Sequence, residues 1–215
     1  MAKSRGRPEG STGAKTRARL LENAATLFAN RGFSGVTMAD VAGAAGLTAP
    51  SIYNHFSSKD ELFNATVTDM YEEISVGFKA GAAVAGDWQT RVRGILDAAA
   101  GLYRDDGVLQ RLSGVAQLEA SQAPRRFTAV LAAHAGVVDV FRDIVAQAVR
   151  NQELPEDIDV AMTGELLAAM VTNAIGRVTL KRSSHAEFME VTALFKALFL
   201  SNAQANTATS LRPVG

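Results

Sequence analysis

The sequence predicts an all-α protein, and three observations carry that expectation. From Lys15 onward apolar residues recur at spacings of three and four, runs of β-branched residues are short, and alanine is abundant. With 215 residues, 47% of them hydrophobic, the chain is long enough to bury a sizeable core. Domains of about 100–200 residues then imply a single large domain or a small one joined to a larger. The expected division is a disordered basic arm over residues 1–14, a three-helix head over 15–63, a larger helical body over 64–203 and a frayed, small and polar tail over 204–215.

Taken in order, the first helix should run from about Thr16 to Asn30, with Leu20, Leu21, Ala24, Leu27 and Phe28 on one stripe and Gly32 as the stop. Thr37 caps a second helix through Val41 and Ala42, which Gly46 interrupts. Thr48 is expected to cap a short third helix, its hydroxyl taking an orphan amide of the first turn, with Pro50 placed where a missing N–H costs nothing. Ser57 or Ser58 caps a fourth, running from Lys59 to about Lys79, and Asp60 and Glu61 lie in its first turn, where negative charge suits the helix dipole. A glycine-rich stretch over 81–87 ends it. Five more helices follow near Trp88–Arg104, Val108–Ala120, Pro124–Asn151, Asp157–Leu180 and His185–Asn202, with Pro124, Pro155 and residues 182–184 marking breaks.

The formal net charge is +0, yet the charges are unevenly placed. Within residues 1–19, Lys3, Arg5, Arg7, Lys15, Arg17 and Arg19 face Glu9 alone, so a basic arm precedes a mildly acidic remainder, and such arms often meet phosphate. The chain has no cysteine, which removes disulfides, thiolate metal sites and a cysteine nucleophile and makes the cytoplasm the expected location. No apolar segment follows the first basic residues, as a secretory signal would require. The longest charge-free stretch, Val41 to Ser58, carries Pro50, Asn54 and His55, so no membrane partner is expected.

Enzymatic signatures are missing as well. There is no HExxH, G-x-S-x-G or G-x-G-x-x-G, and the three histidines lie far apart, so neither catalytic nor metal residues nor a cofactor are expected. Residues 10–16 superficially resemble a phosphate loop, but Ala14 occupies the glycine position before the lysine and no strand precedes it; a flexible linker is the better reading. Carboxylate pairs such as Glu72-Glu73 are adjacent in sequence and so point to different helix sectors. A small helical enzyme remains the alternative from another class.

Two short helices separated by Ala45-Gly46-Leu47 and preceded by a packing helix make a helix-turn-helix, whose second helix can enter a major groove while the first crosses the backbone. The pattern is dense: Arg17-x-x-Leu20-Leu21-x-x-Ala24-x-x-Leu27-Phe28, Gly32-Phe33, Val36-Thr37-Met38-x-Asp40-Val41-Ala42, Ala45-Gly46-Leu47-Thr48 and Ile52-Tyr53-x-His55-Phe56-x-x-Lys59-x-x-Leu62-Phe63. On these residues, positions 17–63 closely resemble the DNA-binding domain of the TetR family of bacterial regulators. The resemblance implies DNA contact by Thr37, Thr48, Ser51, Tyr53, His55 and Lys59, and hydroxyls, helix starts and a lysine all suit phosphate oxygens. Tyr53 and His55 also admit a half-buried packing role. Ala49 and Pro50 depart from many members and offer no hydrogen bond to a base, although Ala49 suits a thymine methyl; Ser51 and Asn54 are left for base reading. Arg17 joins this set, and Arg5 and Arg7, flanking Gly6, resemble an AT-hook core that lies along a narrow minor groove.

Beyond the head, the resemblance implies a ligand-binding and dimerisation body. Val160, Gly164, Leu167, Val171, Ala174 and Val178 follow a 4-3-4-3-4 spacing suited to helix packing. Phe188, Val191, Leu194, Phe195, Leu198 and Phe199 give the last helix more apolar surface than one neighbour covers. Leu167, Val171, Val178, Phe188, Val191, Phe195 and Phe199 are therefore the expected homodimer interface. Tyr103, Gln117, Phe127, Val130, His134, Val137, Phe141, Met170 and Asn173 are the expected lining of a cavity for a small apolar or amphipathic effector. The implied function is a repressor that binds a palindromic operator in double-stranded DNA as a dimer and is released by its effector, with residues 81–86 as a hinge; a body that binds a protein partner is the alternative.

Overall fold

The computed structural model describes residues 9–102, 107–180 and 185–200, and every regular element among them is a helix. In order these are α1 (Glu9–Arg31), α2 (Met38–Ala44), α3 (Ala49–Ile52), α4 (Lys59–Ala82), α5 (Trp88–Leu102), α6 (Val108–Gln122), α7 (Thr128–Arg150), α8 (Val160–Leu180) and α9 (His185–Phe199). The chain divides into two compact units, residues 1–73 with 104–136 and residues 74–103 with 137–215, so the division passes through α4 and α7.

Three helix starts differ from expectation, the smallest shift being at α8, which begins at Val160 and not Asp157. α1 begins at Glu9, not Thr16, and takes in the segment read as arm and linker. Gly10 and Gly13 argued against a helix there at about 1 kcal/mol each, but a helix already nucleated by a packed stripe extends upstream at one hydrogen bond per residue. α7 begins at Thr128, not Pro124, because residues 124–126 form a turn in which the Arg126 and Phe127 amides both donate to the Ala123 carbonyl.

The helix ends have identifiable partners. At α2 the Thr37 hydroxyl oxygen accepts the Asp40 amide at 3.1 Å, while the Asp40 carboxylate takes the Thr37 amide at 2.8 Å and the Thr37 hydroxyl at 2.6 Å, a capping box. At α4 Ser58 Oγ accepts the Glu61 amide at 3.2 Å, and Glu61 reaches back to the Ser57 amide and hydroxyl at 2.8 and 2.6 Å. The expected cap by Thr48 is not formed: its hydroxyl lies 2.6 Å from Ser51 Oγ, and no side-chain bond caps α3. A hydroxyl three residues along competes successfully for it in so short a helix.

Between α2 and α3 the Leu47 amide donates to the Ala42 carbonyl at 2.8 Å and the Gly46 amide to Gly43 at 3.0 Å. This closing pattern needs a left-handed residue, and Gly46 supplies it at φ +66. In the first unit α1 packs on α2 and α6. Its centre is aromatic: Phe63 meets Phe28 and Phe33 edge-on at 5.0 Å each, and Phe127 lies 5.5 Å from Phe33 and 5.2 Å from Phe63. Ile52, Phe56, Leu62 and Phe63, expected in the core, are all at most 2% exposed. Such rings each bury 150–250 Å² or so, a large share of what a head this small can bury.

In the second unit Phe78 meets Phe141 edge-on at 5.9 Å, and Val92, Ile95, Leu96, Ile144 and Val145 are buried as well. α9 packs on α5 and α8. α4 and α5 cross with their backbones touching: a β-carbon on Gly81 would lie 2.3 Å from the Gly94 carbonyl oxygen, and one on Gly94 would lie 2.1 Å from that of Gly81. This corrects the hinge expectation at Gly81, which sits inside α4 as a close-packing residue; Gly86, at φ +141, is the one with an unusual backbone.

Candidate nucleic-acid interface

α3 holds the head's outward chemistry because one of its faces is anchored. Ile52 and Phe56 are buried, while Thr48, Ala49, Pro50, Tyr53 and Asn54 are exposed, Tyr53 at 57%. The alternation follows from a single helical turn followed by a tight turn, in which the His55 and Phe56 amides donate back to the Ile52 carbonyl. Ser51 and His55 are half-buried at the margin. The exposed set therefore offers hydroxyls, one amide and an aromatic ring together on one short element. Thr48 and Ser51 share a hydrogen bond, so the pair has one hydroxyl proton left for an outside acceptor.

The flanks add charge and order. Arg17 is exposed, with its guanidinium carbon 5.2 Å from the Phe56 ring centre, on an α1 surface that also exposes Lys15 and Arg19. Thr37 is exposed, and its hydroxyl is engaged by Asp40. That hydroxyl, followed by the Thr37 amide, holds the Asp40 carboxyl below its ordinary range, helped by Arg31 at 3.7 Å. Likewise Ser57 lowers Glu61. Neither carboxylate is left as a loose negative charge.

Lys59 is placed differently from expectation. Its ammonium turns inward, donating to the Phe33 and Val36 carbonyls at 3.0 and 3.1 Å and lying 4.3 Å from the Phe33 ring centre. Two carbonyls that end the loop after α1 outcompete solvent for it. Arg126, which sequence reasoning missed, also approaches this ring: it forms a two-pronged ion pair with Asp60 and lies 4.8 Å from the Phe33 ring centre. Asp60 is held below its ordinary range by that guanidinium. Arg126 and Asp60 stand far apart in sequence, so no local signal joins them. Arg5 and Arg7 lie outside the described residues.

Of the residues expected to line an effector cavity, Tyr103 and the Asn173 side chain lie outside the described set. Phe127, with its ring among Phe33 and Phe63, is core, and Val130 is buried. Gln117 and His134 are brought near each other through two residues that were not expected. Gln117 Nε2 donates to Ser113 Oγ at 3.4 Å, Ser113 meets the Tyr71 hydroxyl at 3.4 Å, and the Tyr71 ring lies 5.5 Å from that of His134. Burial pushes the His134 pKa down and the Tyr71 pKa up. In the second unit Val137 and Phe141 are buried and Met170 is half-buried. An open surface depression there is lined by other residues: Lys79, Ala82, Ala83, Arg91, Val140, Asp143, Ile144 and Gln147. Val140, Ile144 and Gln147 share one helical stripe, but nothing in the sequence joins them to Lys79 and Arg91.

The residues expected at the dimer face differ in their burial within the single chain. Val171 and Phe195 are 0% and 8% exposed and belong to the core of their own unit, and Gly164 is buried against Arg142. Leu167 and Val191 are half-buried, and the side chains of Val178, Phe188 and Phe199 lie outside the described set. Among the described side chains of α8 and α9, the large apolar ones left open are Met162 at 69% and Leu166 at 59% on α8, and Met189 at 43% and Leu194 at 61% on α9. Periodicity located a stripe on each helix but not which neighbouring stripe faces outward.

Comparison with known proteins finds relatives of the chain. Residues 20–66 match the family described as bacterial regulatory proteins, tetR family. ArpR of Pseudomonas putida, a probable HTH-type transcriptional regulator, is 30% identical over 175 residues, covering 76% of this chain and 80% of ArpR. The HTH-type transcriptional repressor KstR2 of Rhodococcus jostii is 34% identical over 143 residues, 66% of this chain, and the match spans 55% of the length of KstR2. Among solved structures, PfmR from Thermus thermophilus, a TetR family transcriptional regulator, superposes with a TM-score of 0.64 at 22% identity over 83% of this chain and 94% of PfmR. The fatty acid degradation regulator FadR from Bacillus halodurans superposes with a TM-score of 0.69 at 15% identity, covering 94% and 99% of the two chains. These two share the fold.

Proposed function

Because the chain belongs to the TetR family of bacterial regulatory proteins, we propose that it is a ligand-responsive transcriptional repressor that binds a palindromic operator as a homodimer in the cytoplasm. The observation that carries this reading is α3 with its flanks, where exposed Thr48, Ala49, Tyr53 and Asn54 stand beside a buried Ile52 and Phe56. A rigid short helix with small and hydroxyl side chains outward suits a major groove. Arg17, Lys15 and Arg19 supply positive charge for the flanking phosphates, Thr37 approaches from the start of α2, and His55 stands at the edge of the contact. Lys59 acts through the loop it fastens, and Arg5 and Arg7 extend the contact from the arm.

Four residues per reading helix recognise few bases, so two copies about 34 Å apart, one helical turn of DNA, are needed to read a half-site twice. The exposed Met162, Leu166, Met189 and Leu194 favour an α8–α9 pairing of two chains, shifted from the stripe that the spacing suggests. Residues 15–63 serve DNA contact and residues 64–203 effector binding and dimerisation. An effector releases DNA only by binding the non-binding arrangement better, since equal affinity for both shifts nothing. Enrichment from random duplex DNA over several rounds tests the reading. A palindrome is expected, with log affinity falling linearly against log salt and at least a tenfold loss for Tyr53→Ala at unchanged melting temperature; absence of any enriched sequence would sink it.

A further inference from the structure

α3 and its flanks hold no free side chain of the two kinds that read a G·C pair best. Guanine is most often read by an arginine or lysine spanning O6 and N7, and cytosine by a carboxylate that accepts from N4. No lysine or arginine stands between Arg31 and Lys59. Of those two, Arg31 faces Asp40 at 3.7 Å, and Lys59 is turned onto the Phe33 and Val36 carbonyls. Asp40 is the one acid between Met38 and Ser58, and its carboxylate is taken by the Thr37 amide and hydroxyl at 2.8 and 2.6 Å. The Thr48–Ser51 pair keeps one hydroxyl proton, which any base edge with an acceptor can take, so it discriminates little.

What α3 exposes fits the other pair. Ala49 and Pro50 are consecutive, exposed and apolar. The one apolar group on a base edge in the major groove is the thymine 5-methyl. Against a G·C pair, the same two side chains would cover polar edge atoms without replacing their hydrogen bonds to water, which is unfavourable. Asn54, the one carboxamide between Met38 and Ser58, carries the adjacent donor and acceptor that match adenine N6 and N7. We propose that the reading helix selects A·T pairs, with thymine methyl groups seated on Ala49 and Pro50 and adenine facing Asn54. This rests on the regulator reading and names the DNA that its reading helix takes.

The test places the change in the DNA, so the fold of a variant is not at stake. Uracil lacks the 5-methyl group of thymine and keeps its hydrogen-bonding edge. Fluorescence anisotropy compares the full chain on the duplex that selection enriches, on the same duplex with deoxyuridine for thymidine, and on alternating A–T, A–U and G–C duplexes of equal length. Burial of one methyl group corresponds to about a fourfold change in affinity, so uracil in both half-sites should weaken binding roughly tenfold or more. The alternating A–T duplex should bind about threefold more tightly than either A–U or G–C. In the double variant Ala49→Gly, Pro50→Ala, changed at two exposed positions, thymine and uracil duplexes should bind alike. Equal binding of thymine and uracil duplexes by the wild type, half-sites built of G·C pairs, or a thymine preference that survives in the folded double variant overturns the proposal. A palindrome of G·C pairs would remove this inference and leave the regulator reading standing. If no palindrome is enriched, the regulator reading falls, and the alternating duplexes decide this inference by themselves.

Discussion

Lys59 places its ammonium 4.3 Å from the centre of the Phe33 ring and donates to the carbonyl oxygen of the same residue at 3.0 Å. One side chain thus fastens the loop between α1 and α2 to the start of α4. Lys59→Met keeps the stem and removes the charge, leaving the Phe33 and Val36 carbonyls to find water. A loss of about 1–2 kcal/mol is expected, in the range of charged hydrogen bonds at a half-buried site. The salt slope of DNA binding should stay nearly constant, whereas loss of a phosphate contact would lower it by about one. Chemical denaturation and a salt titration on the same variant separate the two.

The Thr37–Asp40 capping box supports the first helix of the reading motif. Thr37→Ala should lower stability by about 1 kcal/mol, the usual cost of an N-cap. Thr37→Ser keeps the hydroxyl and should lose less than half of that. A melting series on the three proteins checks the order.

His134 gives the first unit a pH dependence. Burial lowers its pKa, so the folded chain prefers the neutral ring while the unfolded chain takes up a proton near pH 6.5. Its contribution to stability is full above about pH 6.5 and declines as pH falls below that value. Melting temperatures at pH 7.5 and 5.5 should therefore differ more in wild type than in His134→Gln. Equal differences would show that other groups carry the dependence. The depressed carboxyls Asp40, Asp60 and Glu61 lose theirs only at pH values lower still, near and below the usual carboxylate range.

Gly94 and Gly114 make opposite predictions for the same substitution. A β-carbon on Gly94 meets the Gly81 carbonyl at 2.1 Å, and one on Gly114 meets nothing within 4 Å. Gly94→Ala should cost about 2 kcal/mol or more by overpacking, and Gly114→Ala should stabilise α6 by about 0.5–1 kcal/mol. Denaturation midpoints followed through Trp88 decide both.

If two chains pair through the open residues of α8 and α9, Leu166→Glu with Leu194→Glu should yield a folded monomer in sedimentation, with palindrome affinity reduced at least a hundredfold. Val171→Ala, at a 0% exposed position, should instead lower stability by about 1–2 kcal/mol with the dimer intact. The reverse pattern would restore the stripe read from spacing alone.

The helices, most of their ends and the helix-turn-helix motif are local properties of the chain. Apolar spacing and caps act over three or four residues, so the α2–Gly46–α3 turn, the capping box at Thr37 and the buried Ile52, Phe56, Leu62 and Phe63 are all legible in the local order of residues. Tertiary structure decided what depends on neighbours distant in the chain. It turned Lys59 toward the loop carbonyls, set Arg126 on Asp60 and put Phe127 into the aromatic core. It also made Gly81 a packing residue, rotated the open face of α8 from Val171 to Leu166, and placed Arg91 and Lys79 beside Asp143. A helix's periodicity fixes which residues share a stripe, but which stripe is covered is settled only by the surface that packs against it.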